Sequence, residues 1–458
     1  MIRIFNRYVP IRTLILFGGE IGAICTSFAL AIFIRFGRDS ANVFNDGRSL
    51  LKIAAVITLA LLCSHYMELY DLRDLRSPSG LDLRIVMLVG TLSLLLGALT
   101  FMFPGFTLGR SVFITGLIIL SLTWTLWRWA FGRVIFLPAF RERVYVLGSG
   151  QRAKRILEAI RMRGELGMDI VGWAGESQND DVSVESTGKI LRDLGSRRAV
   201  HRVIVALADR RSKMPVNELL ELRMNGIRID DGTSLLEKIS GQIEIEELYP
   251  SWIIFGGGFR LTLGHLFFRR VLSILLASML SILTLPLVPI IALLIKLGSK
   301  GPILYRQKRV GLRDEVFNCY KFRTMRSDAE ADSGPTWASD DDPRITSVGK
   351  ILRRTRLDEI PQLWNVLRGD MAFVGPRPER PEFVSKLGEE IPYYYLRHMT
   401  RPGITGWAQI NYGYGSSVAE AKEKLRYDLY YIRNVSVMLD LLIVFYTVRA
   451  VLLGRGVR

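Results

Sequence analysis

Cysteine is scarce in this chain of 458 residues: there are three, and no two stand at a disulfide-framework or metal-ligand spacing. Cys25 and Cys63 fall inside apolar runs and Cys319 stands alone, which excludes a disulfide-stapled scaffold and a thiolate metal cluster. A reducing compartment suits the soluble parts. Acid is the second deficit, with 44 Asp and Glu against 61 Lys and Arg, a formal net charge of +17. Such a surplus beside apolar segments favours anionic headgroups and phosphorylated substrates. Nucleic acid would answer the same charge, but RRM, KH, zinc-finger and basic-helix signatures are all missing.

Apolar sequence, at 49% of residues, is what the chain has in quantity. Four stretches, near Thr13 to Ile34, Leu50 to Leu69, Ile85 to Phe103 and Val112 to Phe131, each approach the roughly 20 residues of a spanning helix. Arg3, Arg7 and Arg12 precede the first, Arg73, Arg76 and Arg84 lie between the second and third, and Arg128, Arg133, Arg141 and Arg143 close the fourth. Positive-inside weighting puts these ends in the cytoplasm, although Arg35, Arg38, Arg48 and Lys52 on the opposite loop weaken the contrast. The first stretch lacks the small-residue cleavage site of a signal peptide.

From about Arg143 to Leu248 short apolar runs alternate with amphipathic ones. Val144–Leu147 leads into Gly148-Ser149-Gly150, and Ile170–Trp173, Val203–Leu207 and Ile227–Ile229 read as further buried strands, a βαβ rhythm. The glycines could cradle a pyrophosphate at a helix start, but the nearest acidic partner, Glu176, lies beyond the usual spacing of about 20 residues. A structural or assembly role is the preferred reading, and Gly256–Gly258 forms a hinge before the next unit.

One long apolar segment, Val271 to Leu297, follows, with Pro286 and Pro289 near its middle. Each proline removes a backbone donor and obstructs the preceding turn, so a break is expected at Pro286. Re-entry to the original side would keep Arg269, Arg270, Lys296 and Lys300 together at anionic headgroups; a kinked fifth span is the alternative. The apolar stretch from Met438 to Leu453 is short for a span and is expected at the interface or against the broken helix.

Beyond it, Tyr305–Gly311 and Tyr320–Met325 are basic, aromatic-flanked segments suited to phosphate oxygens or to a solvated face. The most informative run is Leu357-Asp358-Glu359-Ile360-Pro361-Gln362-Leu363-Trp364-Asn365, followed by Gly375-Pro376-Arg377-Pro378. Pro361 is tolerated only in the first turn of a helix and so puts Asp358 and Glu359 at a helix start. A carboxylate there could attack phosphorus while its neighbour holds a divalent cation, or Asp358 could merely cap the helix.

Lys321-Phe322-Arg323-Thr324-Met325, Leu357-Asp358-Glu359, Gly369-Asp370-Met371, Gly375–Pro378, Arg401-Pro402-Gly403-Ile404-Thr405-Gly406-Trp407-Ala408-Gln409 and Asp428-Leu429-Tyr430-Tyr431 stand in the order seen in bacterial sugar transferases. From about residue 265 to 458 the chain resembles these monotopic polyprenyl-phosphate sugar-1-phosphate transferases, and its whole architecture resembles their large, exopolysaccharide-type members. The resemblance implies a membrane helical bundle over residues 1–135, an α/β Rossmann-like, CoA-binding-like cytosolic domain over 140–255, and an α-rich monotopic catalytic domain over 265–458 with a re-entrant helix at 271–297.

It further implies transfer of sugar 1-phosphate from a UDP-sugar to undecaprenyl phosphate, with UMP leaving, by a homodimer on the cytoplasmic face of the bacterial inner membrane. Asp358 would be the nucleophile, Glu359 would help position Mg²⁺ and diphosphate, and Arg377, supported by Arg353, would contact phosphate. Lys321, Arg323, Arg401, Gln409 and Asp428 would be binding or framework residues. One departure stands out: Leu285-Pro286 replaces the Ser-Pro that many members carry at the break. Two other classes compete. A membrane-anchored nucleotide-sugar dehydratase or epimerase would need a Tyr-x-x-x-Lys pair, and none of the sixteen tyrosines has lysine four residues on. A non-enzymatic assembly protein of polysaccharide export would leave the dyad as a cap.

Overall fold

The computed structural model describes residues 2–4, 7–9, 11–40, 47–67, 69–70, 78–103, 110–135, 137, 140–174, 184–196, 199–207, 214–248, 263–327, 329, 342–413 and 417–452. Arg73, Arg76, Glu176 and the Gly256–Gly258 hinge lie outside the described residues. The chain divides into two compact units, essentially Tyr8–Leu235 and Leu236–Arg458.

In the first unit all four apolar stretches are helical, over Ile11–Phe36, Gly47–Tyr66, Pro78–Met102 and Arg110–Ile135. Ile24, Phe28, Val56, Ala60, Leu88, Leu92, Leu120 and Trp124 meet between them. Phe33, Leu94, Phe101 and Leu122 project outward, more than half exposed, as a surface in contact with lipid requires. The first, third and fourth of these helices are long and apolar enough to cross a membrane. The second has an apolar portion, Leu51–Tyr66, that falls short of that length. Leu263–Thr284 in the other unit is the fourth helix of crossing length among the described residues.

Arg128 does not belong to a cytoplasmic loop, as the charge count supposed. It is buried inside the fourth helix, pairs with Glu20 of the first, and donates to Leu69 O at 2.7 Å. Trp124 Nε1 adds a 2.9 Å bond to the same Glu20 oxygen. Removing one partner of a buried pair strands the other charge, whereas replacing both with apolar groups is often neutral or better.

The rest of this unit is a four-stranded parallel sheet in the order Met168–Trp173, Glu142–Leu147, Arg202–Val205, Arg228–Asp231, joined by helices Gly150–Met162, Val184–Ser196 and Val216–Met224. All four strands expected from the sequence form. Buried Arg202 fastens the sheet crosswise, bonding Glu142 at 3.0 Å and Asp230 at 2.7 Å. Gly148 has φ +144°, and a Cβ there would lie 2.6 Å from the Ala206 carbonyl carbon, so glycine is needed for the close approach.

The second unit opens with residues 236–248, which pack in this unit. Ile243, Ile245 and Leu248 share a core with Trp407, Leu425, Leu429 and Tyr430, and Trp407 Nε1 donates to Gly241 O at 2.9 Å. The apolar segment breaks at Leu285-Pro286 into helices Leu263–Thr284 and Leu287–Gly298. At the break Thr284 Oγ1 donates to Leu280 O at 2.8 Å, a back-bond that bends helices. An antiparallel hairpin follows, Leu304–Val310 with Val316–Phe322, and then helix Ser347–Thr355, the dyad turn Leu357–Glu359 and helix Gln362–Arg368. Strands Ala372–Val374 and Gly403–Thr405 pair in parallel behind them. Helices Val418–Arg433 and Val437–Leu452 complete the body. The last of these is packed rather than free, with Leu439 and Ile443 fully buried and Asp440 bonded to Arg269.

Arg128→Leu should therefore cost about 3–5 kcal/mol of stability, and Glu20→Leu/Arg128→Leu should recover most of it. Thermal unfolding in a fixed detergent checks this; a double variant no more stable than the single one would show that the pair is not the source.

Candidate functional site

Thr346 caps helix Ser347–Thr355, accepting from Gly349 N at 3.0 Å. Arg356 ends that helix in the left-handed region, φ +56°, and the chain turns directly into Leu357–Glu359. Ile360 and Pro361 keep helical dihedrals and lead into Gln362–Arg368, so the dyad does sit at a helix start, as Pro361 requires. One face of this path is buried: Asp358, Glu359, Gln362, Leu363, Asn365 and Val366. Leu363 and Val366 pack with Ala277 of the broken helix, Cys319 and Met371, which seats the dyad on the apolar helix.

Glu359 collects cations from three elements. Arg377 Nη2 lies 2.6 Å from Oε1, Lys321 Nζ 3.4 Å from the same atom, and Arg356 Nη1 4.0 Å from Oε2. Burial alone would raise its pKa, but Arg377, Lys321 and Arg356 outweigh it and hold the carboxyl far below the usual range. Asp358 is shifted the other way. Burial raises it and the Glu359 charge adds to the effect, against opposition from Lys321, Arg377 and Arg353. Among the described residues Asp358 makes no ion pair within 4 Å. Two adjacent carboxylates are thus driven apart, one firmly ionised and one more basic, a split that marks differing chemical roles.

Arg377 is held by its turn rather than by its side chain alone. Gly375 N bonds Thr405 O at 2.8 Å and Gly403 N bonds Pro376 O at 2.9 Å. A Cβ on Gly375 would meet the Arg401 carbonyl oxygen at 2.4 Å, so glycine is obligatory where the two segments touch. Arg401 contributes that carbonyl while its side chain is exposed. Arg397, to which the sequence pattern assigned nothing, donates to Arg377 O at 2.9 Å, to Asp428 at 3.0 Å and to the Tyr394 hydroxyl. Asp428 therefore reaches the site through Arg397. Burial lifts its pKa to about 6, with Arg397 partly offsetting the rise.

The other expected residues divide. Lys321 reaches Glu359 from the hairpin. Arg353 donates to Thr324 Oγ1 at 3.0 Å and its charge is felt at Asp358. Arg323 instead closes the end of helix Leu287–Gly298, donating to Lys300 O at 3.0 Å and to Ser299 O at 2.8 Å. Gln409 Nε2 donates to Ile404 O at 3.2 Å, inside its own turn. Asn365, within the dyad run but without an expected role, takes Tyr320 N at 3.1 Å and gives to Asn318 O at 2.7 Å, fixing the Lys321 strand to the dyad helix. Arg397 had one signal in sequence, a charge placed within the apolar and aromatic run Tyr393–Met399. No group of three or more His, Cys, Asp or Glu among the described residues could hold a metal unaided.

A carboxylate pair under arginines and a lysine, seated on a broken apolar helix, suits a membrane-associated enzyme that handles phosphate groups. The family follows from comparison. Residues 264–454 match the model of the bacterial sugar transferase family. The UDP-glucose:undecaprenyl-phosphate glucose-1-phosphate transferase of Escherichia coli K12 is 35% identical over 321 residues, 67% of each chain. The UDP-N-acetylgalactosamine-undecaprenyl-phosphate N-acetylgalactosaminephosphotransferase of Aeromonas hydrophila is 43% identical over 222 residues, 48% of this chain; the chain spans about half of that relative, 52%. A Rhizobium leguminosarum exopolysaccharide production protein, PSS, is 45% identical over 168 residues, 36% of this chain and 84% of its own. The chain belongs to the bacterial sugar transferases, the polyprenyl-phosphate sugar-1-phosphate transferases.

A carboxyl whose folded pKa is raised stabilises the fold below its unfolded pKa, near 4, and loses that contribution as pH rises through the folded value, here about 6. A rise of that size corresponds to about 3 kcal/mol. Asp428→Asn removes the titration, so its stability relative to the wild type should improve between pH 4.5 and 7.5, which thermal unfolding at the two pH values measures. A constant difference would refute the assignment of this titration to Asp428.

Proposed function

We propose that this protein transfers sugar 1-phosphate from a UDP-sugar to undecaprenyl phosphate through a covalent aspartyl-phosphosugar intermediate, at the cytoplasmic face of the bacterial inner membrane. The observation that carries the reading is the buried dyad, in which Glu359 is matched by Arg377, Lys321 and Arg356 while Asp358, among the described residues, has no ion pair within 4 Å. In the first step an Asp358 oxygen attacks the β-phosphorus, and the bond from phosphorus to the bridging oxygen breaks with its electron pair leaving on UMP. In the second, an oxygen of the lipid phosphate attacks the same phosphorus and Asp358 departs as carboxylate, leaving a lipid diphosphate-sugar. Each step passes a phosphoryl group whose oxygens carry dense negative charge, and Arg377, Lys321 and Arg353 are placed to offset it.

Mg²⁺ fits this donor set only as an ion shared with substrate. The dyad offers two carboxylates, the kind of partial ligation that such an ion combines with phosphate oxygens and water. When bound it would neutralise diphosphate charge; Glu359 is the residue to hold it.

Re-entry of the broken helix is supported by where its ends are tied. Near its start Arg270 binds the carbonyls of Val366 and Leu367, and past its end Ser299 and Lys300 are bound by Arg323, two residues beyond Lys321. A straight helix from Leu263 to Gly298 would be about 50 Å long and could not end beside the turn it began from. The middle domain is read as Rossmann-like from its parallel βαβ order, with an assembly role. A homodimer is the assembly expected of the large members.

The relatives' names include both glucose and N-acetylgalactosamine donors, so the sugar is a hexose or N-acetylhexosamine. UMP release measured with Mg²⁺ and a panel of UDP-sugars, with and without undecaprenyl phosphate, identifies it. Lipid-dependent release by wild type, absent in Asp358→Asn, is the expected result; full product formation by the variant would return the dyad to a capping role. In oriented vesicles, a cysteine placed by Lys300→Cys should react with an impermeant thiol reagent from the cytoplasmic side. Reaction from the periplasmic side alone would defeat re-entry.

A further inference from the structure

On the transfer reading above, we infer that Arg269 and Arg270 are positioning residues: from consecutive places on the apolar helix they set the nucleophile's turn and the Arg377 turn against each other. The charge pattern assigned both to lipid headgroups. Their side chains are engaged otherwise.

Arg270 donates from Nη1 to Val366 O at 2.5 Å and from Nη2 to Leu367 O at 2.8 Å. These carbonyls lie in the last turn of Gln362–Arg368, where a helix has no N–H donors of its own to offer them. The helix whose opening turn bears Asp358 and Glu359 is thereby capped from the membrane segment. Arg269 is 7% exposed and points to the other side of the site. It donates to Val374 O at 3.3 Å, the carbonyl directly before Gly375-Pro376-Arg377, and to the Tyr431 hydroxyl at 2.6 Å and Asp440 at 2.8 Å. One helical turn later Ser273 Oγ accepts from Phe373 N at 3.2 Å, so the same strand is pinned twice.

Neither arginine bonds the dyad or Arg377. Both act on main-chain atoms that carry those groups, and their own separation is one peptide unit on a rigid helix. Reacting atoms must be held close to an attacking geometry, and an error of about 1 Å costs on the order of 100-fold in rate. Two guanidinium forks, Arg270 on two carbonyls and Arg269 on Val374 O, the Tyr431 hydroxyl and Asp440, suit that duty better than the single point charge of lysine.

The test uses full-length protein in vesicles containing anionic lipid, with the UDP-sugar that wild type turns over and undecaprenyl phosphate. Arg270→Ala should lower kcat by about 30- to 100-fold while donor KM stays within about threefold, with thermal midpoint and vesicle sedimentation unchanged. Arg270→Lys should recover part of the rate, because an ammonium can reach one carbonyl. Lys296→Ala, an exposed charge on the second half of the break, should behave as wild type. Wild-type kcat in Arg270→Ala, or a loss that follows vesicle binding and is shared by Lys296→Ala, would overturn the inference in favour of a headgroup role. Should Arg270→Ala fail to fold, Arg270→Lys decides: lowered kcat at unchanged KM and midpoint supports positioning, and wild-type kcat refutes it. A wild type inactive on every donor would instead count against the transfer reading itself.

Discussion

Glu359 is a negative charge that the fold must keep out of water, and most of the catalytic unit is arranged around that requirement. Burying an unmatched carboxylate costs several kcal/mol, so the site cannot exist half-formed. Its three counter-charges come from a β-hairpin, from the residue that breaks the preceding helix, and from a turn between two prolines. Each of those elements is tied in turn: the hairpin to the dyad helix by Asn365, and the proline turn to Val418–Arg433 through Arg397 and Asp428. The ionised Glu359 then helps keep Asp358 basic, so one desolvated charge both organises the fold and tunes its neighbour.

The second constraint is the bilayer. Leu357 and Ile360, which flank the dyad, pack with Ile291 and Ile295 of the helix after the break, and Ile360 also packs in the cluster with Ala277 before it. The opposite surfaces of both halves expose Leu275, Met279, Ile282, Leu283, Leu285 and Leu293. Lipid covers such a surface at little cost, while water would penalise it at about 25 cal/mol per Å². On the proposed reading this accounts for how a water-soluble nucleotide sugar and a lipid phosphate meet. Asp358 would then be built on top of the element that enters the membrane, its height above the lipid fixed by packing rather than by diffusion of a tethered domain.

Much of this was legible in the chain. Uninterrupted apolar length gave the helices of the first unit, alternation gave the four parallel strands, and the restricted chemistry of Pro361 gave the position of the dyad. These are local signals, each set by covalent geometry or by periodicity. What was not legible depends on partners distant in sequence. Lys321 and Arg323 stand two residues apart and read alike, yet Lys321, in the strand, reaches Glu359, and Arg323, just past its end, closes a helix more than twenty residues upstream. Asp428 read as a binding or framework residue without an assigned partner, and it is Arg397 that links it to the Arg377 turn. Thr284, two residues before Pro286, supplies a hydroxyl at the break where the family pattern led us to look for serine.

The same distinction changes what the net charge of +17 means. Arg12, Arg128, Arg202, Arg269, Arg323 and Arg397 are all less than 10% exposed. Arg128, Arg202, Arg269 and Arg397 are matched by carboxylates, and Arg323 by backbone carbonyls. Guanidinium is suited to this use because its charge is diffuse, its donors are fixed in a plane, and it does not lose its proton when buried. Such residues are struts: they contribute to the formal count and little to the potential that a phosphate or a headgroup meets. The cations that do face the site are few, and their effect there owes more to the dryness of the surroundings than to number, since the same charges in water would be worth several-fold less. A strongly basic composition therefore bears on the proposed phosphate ligands through only part of its charge, the remainder being the framework that holds those few charges in place.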